Sequence, residues 1–146
     1  MGVDGTYAAA MDEFPGAFAD LDCCDITTIG RRSGRPHRIE IWFAVEASTL
    51  YVISGNGPGA DWFRNVVAEP SVTVELGGEV RQGRARVVTD ADERRRLGEV
   101  LGAKYPSWNG DPTIGLTRAA WCFDVPLVAI DRWAPAPPIE QLPPEL

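Results

Sequence analysis

From Arg38 to Glu46 the chain alternates without a break: Ile39, Ile41, Phe43 and Val45 fall on one side, Arg38, Glu40, Trp42 and Ala44 on the other. A period of two marks a half-buried strand, because successive side chains of extended chain point to opposite faces. The same logic predicts strands over 23–29, rich in β-branched residues, and over 49–55, reached through a tight Glu-Ala-Ser turn. Strands over 71–76 and 80–88 are joined by Gly77-Gly78, a hairpin signal because glycine tolerates positive φ, and a last strand is expected over 123–133. Two segments change period. Asp61 to Ala68 reads as a helix stopped by Pro70. Ala91 to about Tyr105 reads as a longer one, capped by Asp90 with Glu93 and carrying Leu97, Val100 and Leu101 as its apolar stripe. About six mostly antiparallel strands with helices lying outside them predict a mainly β fold, a small barrel.

The two ends fall outside this pattern. Residues 1–20 are expected as an N-terminal arm or short helices, since Pro15 and Gly16 interrupt the helical character before them. The barrel domain is expected over 21–133. Residues 134–146 hold five prolines in 13 positions and read as an extended, polyproline-like tail.

Composition narrows the partners. A 146-residue chain that is 45% hydrophobic supports one domain with a real core. A net charge of -7 and a sequence pI near 4.7 argue against nucleic acid or an anionic membrane surface, both of which need a dominant basic face. Three cysteines, Cys23, Cys24 and Cys122, neither close into disulfide pairs nor show zinc spacing, and no stretch has the character of a signal sequence or membrane span. A cytoplasmic protein without a structural metal is expected.

Against this acidic background, the run Arg31 to Arg38 holds four of the 14 basic residues and no acid. Its sequence from Gly30, Gly-Arg-Arg-Ser-Gly-Arg-Pro-His, sits between the first two strands. Glycines there let successive N–H groups face one concavity, and arginine adds a planar fork for two oxygens at once, a combination suited to phosphate or carboxylates. The competing reading is a solvated hairpin tip. The segment Ser54 to Asn65 carries glycines at 55, 57 and 59 out of the third strand and into a helix, so backbone donors and the positive helix end converge. Its spacing is not that of a dinucleotide fingerprint. A flat heteroaromatic could lie there against Trp62, which alternatively serves as a core anchor.

Together the two stretches carry a resemblance. The pattern Thr27-Thr28-x-Gly30-Arg31-Arg32-Ser33-Gly34-x-Pro36, the glycine-rich turn, Trp62-Phe63-x-Asn65 and Pro70-x-Val72-x-Val74 follow in the order and spacing of the deazaflavin-dependent nitroreductase and quinone reductase family, whose members use coenzyme F420. The resemblance runs from about Leu21 to Val88, with an echo at Lys104-Tyr105-Pro106-Ser107-Trp108. It implies a split β-barrel of the FMN-binding, pyridoxamine-oxidase-like kind. It also implies that Arg31, Arg32, Ser33, Gly34, Arg35 and His37 take the cofactor's phosphate and tail. Ser54, Gly55, Asn56, Gly57, Trp62 and Asn65 would hold its ring. Trp42, Tyr105 and Trp108 would face the substrate, with Tyr105 as candidate proton donor. Gly55 and Asn56 stand where many members carry a lysine, and Trp108 where a tyrosine is common, marking a divergent branch.

The implied chemistry is hydride transfer between reduced deazaflavin and a small electrophile such as a quinone, nitro compound or activated alkene. Such a reaction asks the protein mainly to hold donor and acceptor close and exclude water. An FMN-dependent enzyme of the same barrel and a non-catalytic deazaflavin carrier stay open as alternatives. Exposed strand faces of such barrels are often covered by a twofold mate, so a homodimer is an open expectation.

Overall fold

The computed structural model describes residues 13–136 of the chain. In chain order its elements are β1 (Cys23–Ile29), β2 (Pro36–Glu46), β3 (Thr49–Ile53), α1 (Asp61–Ala68), β4 (Ser71–Leu76), β5 (Glu79–Val87), α2 (Ala91–Lys104), β6 (Gly110–Asp111), β7 (Leu116–Thr117), α3 (Arg118–Phe123) and β8 (Leu127–Pro135). Six strands close into an antiparallel barrel in the order β1-β2-β3-β8-β5-β4, with β4 returning to β1. Closure removes the unpaired edges an open sheet would present.

The alternating pattern sorts side chains into two cores. Ile26, Phe43, Leu50, Val52, Val72, Val74 and Ile130 fill the barrel. Their neighbours in β3 and β8, Tyr51, Ile53, Leu127 and Ala129, point outward into a second cluster with Leu97 and Leu101 of α2 and Trp121 of α3. Both faces of β3 are therefore covered, which explains its unbroken apolar run. The two helices hold each other by exchanged arginines. Arg94 of α2 donates to the carbonyls of Cys122 in the last turn of α3 and of Val125 just beyond it, and Arg118 of α3 donates to those of Gly102 and Tyr105 at the end of α2. Carbonyls at helix ends lack intrahelical partners, and these guanidinium groups supply them.

The structure departs from the sequence pattern at several places. The third strand stops at Ile53, not residue 55, because Ser54 turns the chain: its Oγ donates to the Gly57 carbonyl at 2.6 Å, and Gly57 adopts φ 84°. The last strand begins at Leu127, not 123, since residues 118–123 form α3, whose first turn is capped by Thr117 Oγ1 accepting from the Ala120 N–H at 3.1 Å. The short ribbon of β6 and β7 has no counterpart in the predicted elements. β8 also continues through Ala134 and Pro135, which pair with Gln82 and Arg81. At the other end Phe14 is fully buried, its ring edge-on to Trp133 with centroids 4.8 Å apart. The remainder of the expected arm and tail, residues 1–12 and 137–146, lies outside the described residues. Among the described residues no helix is long and apolar enough to cross a membrane, and no cluster of His, Cys, Asp or Glu could hold a metal ion.

Candidate functional site

Strands β1 and β2 stay paired out to Ile29 and Pro36, so residues 30–35 form the end of a hairpin. The Gly30 N–H donates to the Arg35 carbonyl at 2.7 Å and the Gly34 N–H to that of Gly30 at 2.9 Å, with Gly34 at φ 72°. A Cβ at Gly30 would stand 2.6 Å from both His37 Nε2 and Ser33 Oγ, so this glycine lets the imidazole and hydroxyl close over the loop.

The arginines divide into two groups. Arg31 donates to Asn65 Oδ1 from its backbone N–H at 3.2 Å and from Nη1 at 2.9 Å, and to Asp61 Oδ1 from Nη2 at 3.2 Å. Asn65 in turn donates from Nδ2 to Thr28 Oγ1 at 3.1 Å, and both residues are buried. These bonds pin the loop to α1 and β1. Asn65, expected at a ligand ring, lines the cleft beside the loop while its amide braces Arg31 and Thr28. Arg31 is likewise largely engaged. Arg38 pairs with Asp25 of β1 and Glu75 of β4. Arg32 and Arg35 are exposed, and neither makes an ion pair or side-chain hydrogen bond among the described residues. Of the two, Arg32 is the one that lines the adjoining cleft, where its fork is open to an anion. The loop borders a cleft of about 650 Å³ that also takes in Pro36, His37, Ile39, Asp61 and Trp62.

The glycine-rich turn adjoins it. Ser54 is fully buried and its hydroxyl is bound to Gly57, so it shapes the turn and does not reach out of it, a correction to its expected ligand contact. Gly55 and Asn56 border a second cleft of about 270 Å³ that shares Ile39 and Trp62 with the first. Trp62 packs on the barrel core and also lines these clefts. At the start of α1 no side chain caps Ala60, and Asp61 stands in the first turn.

The second cleft runs on into a third of about 280 Å³, bounded by Glu40, Ile41, Trp42, Ile53, Trp108 and Trp121. Here Trp42 meets Trp108 at 77° and Trp121 at 88°, forming an aromatic corner, while Tyr105 stacks behind Trp42 with centroids 4.4 Å apart. Arg118 steadies this corner through the carbonyls of Tyr105 and Trp108, at 2.9 and 2.6 Å. Tyr105 does not present its hydroxyl as the expected proton donor. That group donates to the Asp22 carbonyl at 2.6 Å and accepts from the Phe43 N–H at 3.2 Å, and burial pushes its pKa up to about 12. Trp121, Glu40, Ile41 and Arg118 were missed from the sequence. Thr117 ahead of Arg118-Ala-Ala-Trp was the available signal, since a capped helix there turns Trp121 toward Trp108.

The three clefts thus adjoin one another along β2, with the open fork of Arg32 at one end and tryptophans at the other. The profile of the F420H(2)-dependent quinone reductase family matches residues 6–113. Among solved structures, an F420-H2 dependent reductase, FDR-A, is 22% identical with a TM-score of 0.59, covering 75% of this chain and 94% of its own. A domain-swapped dimer is 21% identical with a TM-score of 0.58, covering 90% of this chain and 100% of its own. A Listeria innocua protein provisionally called a pyridoxamine 5′-phosphate oxidase is 17% identical with a TM-score of 0.58, covering 83% and 91%. These likenesses establish the split-barrel fold. The family profile spans both loops that open onto the groove, and the chain belongs to the F420H(2)-dependent quinone reductase family.

Proposed function

We propose that this chain is an F420-dependent oxidoreductase that passes hydride between the reduced cofactor and a small electrophile, a quinone, nitro compound or activated alkene. The observation that carries the reading is the continuity of the groove: an anion-binding end and an aromatic end share Ile39 and Trp62. The donor set fits the cofactor. Arg32 offers a fork for its phosphate and carboxylates, His37 and Ser33 line the same cleft, and Ile39 and Trp62 give an apolar edge for a flat ring.

When bound, the deazaflavin would supply a hydride, two electrons moving as one unit. The protein's own residues do the rest. Arg31, Asn65 and Thr28 keep the loop in place so that Arg32 meets the anion without reorganising. Trp42, Trp108 and Trp121 hold a flat acceptor and displace water from it. With Tyr105 committed to the backbone, the proton that completes reduction comes from solvent. A domain-swapped dimer among the structural neighbours supports a homodimeric assembly.

Titration of the purified protein with oxidised F420 and with FMN, followed by absorbance and fluorescence, tests the reading. Saturable binding of F420, with reoxidation of its reduced form by menadione, is expected. Tighter FMN binding with faster turnover of reduced FMN would replace the cofactor, and F420 binding without turnover of any acceptor class would make the chain a carrier.

A further inference from the structure

Trp121 is 4% exposed, yet its indole N–H has no hydrogen-bond partner among the described residues. Most of the ring is covered, but Nε1 is not: the only fully buried side-chain polar atom without a partner among the described residues is Arg81 Nε, so Trp121 Nε1 keeps an accessible, unused N–H. Trp121 lines the groove on the wall shared by the second and third clefts, near the glycine turn: a Cβ at Gly55 would lie 3.6 Å from Nε1. The ring cannot swing away, because Trp42 and Tyr105 meet it edge-on and Trp108 covers it at 5.0 Å.

We propose that Trp121 Nε1–H is the hydrogen-bond donor for the oxygen of the electron acceptor, a quinone carbonyl or nitro oxygen lying flat in the tryptophan corner. The inference rests on the function proposed above. On reduction, a quinone gains a hydride from the reduced deazaflavin, which leaves oxidised, and a proton from water, giving the hydroquinone. Negative charge gathers on the acceptor oxygen before that proton arrives. A fixed donor there is worth more in the transition state than in the ground state. Trp121 is thus assigned as a catalytic residue, orienting and polarising the acceptor without giving up its proton.

The test needs no cofactor. Binding of 1,4-naphthoquinone and of naphthalene, which has the same outline but no oxygen, is measured by calorimetry on wild type and Trp121→Phe. Trp121→Phe should weaken naphthoquinone on the order of fivefold, the scale of one neutral hydrogen bond, and leave naphthalene within twofold. In wild-type protein with 15N-labelled indoles, the Trp121 Nε1–H resonance should move downfield with naphthoquinone and not with naphthalene, which covers the case of a variant that does not fold. Equal losses for both ligands, or a resonance that stays put while quinone binds, would overturn the assignment. Because neither measurement involves F420, failure of the cofactor reading would show separately, as absent F420 binding.

Discussion

The ring of Tyr105 lies against that of Trp42, planes 6° from parallel and centroids 4.4 Å apart, while its hydroxyl is tied to the backbone of Asp22 and Phe43. One residue thus fastens the end of α2 to β2 and backs the aromatic corner. Tyr105→Phe keeps the stack and strands the Asp22 carbonyl and Phe43 N–H, a loss of about 1–3 kcal/mol. The expected outcome is a melting temperature several degrees lower with turnover per folded molecule within twofold of wild type. A loss of ~100-fold in turnover with unchanged melting would instead restore Tyr105 as a general acid.

The division of the arginines gives a second expectation. Arg32 makes no ion pair or side-chain hydrogen bond among the described residues, whereas Arg31 is tied to Asn65 and Asp61. Arg32→Ala should weaken oxidised F420 roughly tenfold, the size of a charge-assisted hydrogen bond, and reduce the salt dependence of binding. Its thermal stability should be unchanged. Arg31→Ala should lower stability as well, because it removes partners from buried Asn65. Titrations at two ionic strengths, set beside melting curves, separate the two. Equal affinity of wild type and Arg32→Ala at both would remove the anion from this loop.

These roles bound what the sequence could reveal. The barrel strands were legible because β1 and β4 bury alternate residues and β3 is a short apolar run covered on both faces, and the loops because glycine and arginine chemistry is local. Side-chain commitments were not. Ser54 looks like a ligand residue until its hydroxyl is seen to be taken by Gly57, and nothing local in the sequence shows that Asn65, on the cleft wall, also braces Arg31 and Thr28. Trp121 sits in a six-residue helix, too short for a periodic signal, and Val125-Pro126-Leu127-Val128 just beyond it drew the predicted strand backward. The aromatic corner joins β2, the end of α2 and α3, a relation set by chain closure rather than by spacing.

Acid should weaken the fold through Glu93. Its carboxylate accepts from Arg86 Nη1 and Nη2 at 3.0 and 2.8 Å and from the Tyr51 hydroxyl at 2.7 Å, and the arginine bonds hold its pKa below the usual carboxylate range. A carboxyl whose folded value is depressed stabilises fully above the unfolded value, and that share is lost as pH falls through the folded value. Urea unfolding from pH 7 down to pH 3 should therefore show stability declining below about pH 4.5. Glu93→Gln should start lower and decline less steeply. Parallel curves for the two proteins would take Glu93 out of the acid response.

Gly98 joins helix packing to the substrate corner. It is buried in α2 where that helix crosses α3, and a Cβ there would run into the Cys122 carbonyl oxygen and the Phe123 ring. Alanine is the better helix former by about 1 kcal/mol, so an isolated α2 would gain from Gly98→Ala. Overpacking against backbone costs about 1–3 kcal/mol, and here the obstructing atom is a carbonyl that Arg94 already holds. The net effect should be destabilisation, because α3 has to move outward to admit the methyl. That movement carries Trp121 with it and pulls at Arg118, which anchors Trp108. Gly98→Ala should accordingly raise KM for quinones several-fold while F420 affinity, set at the arginine end of the groove, stays near wild type. Crystals or indole resonances of the variant would report the shift directly. A more stable protein with unchanged KM would mean that α2 and α3 approach less closely than this geometry requires.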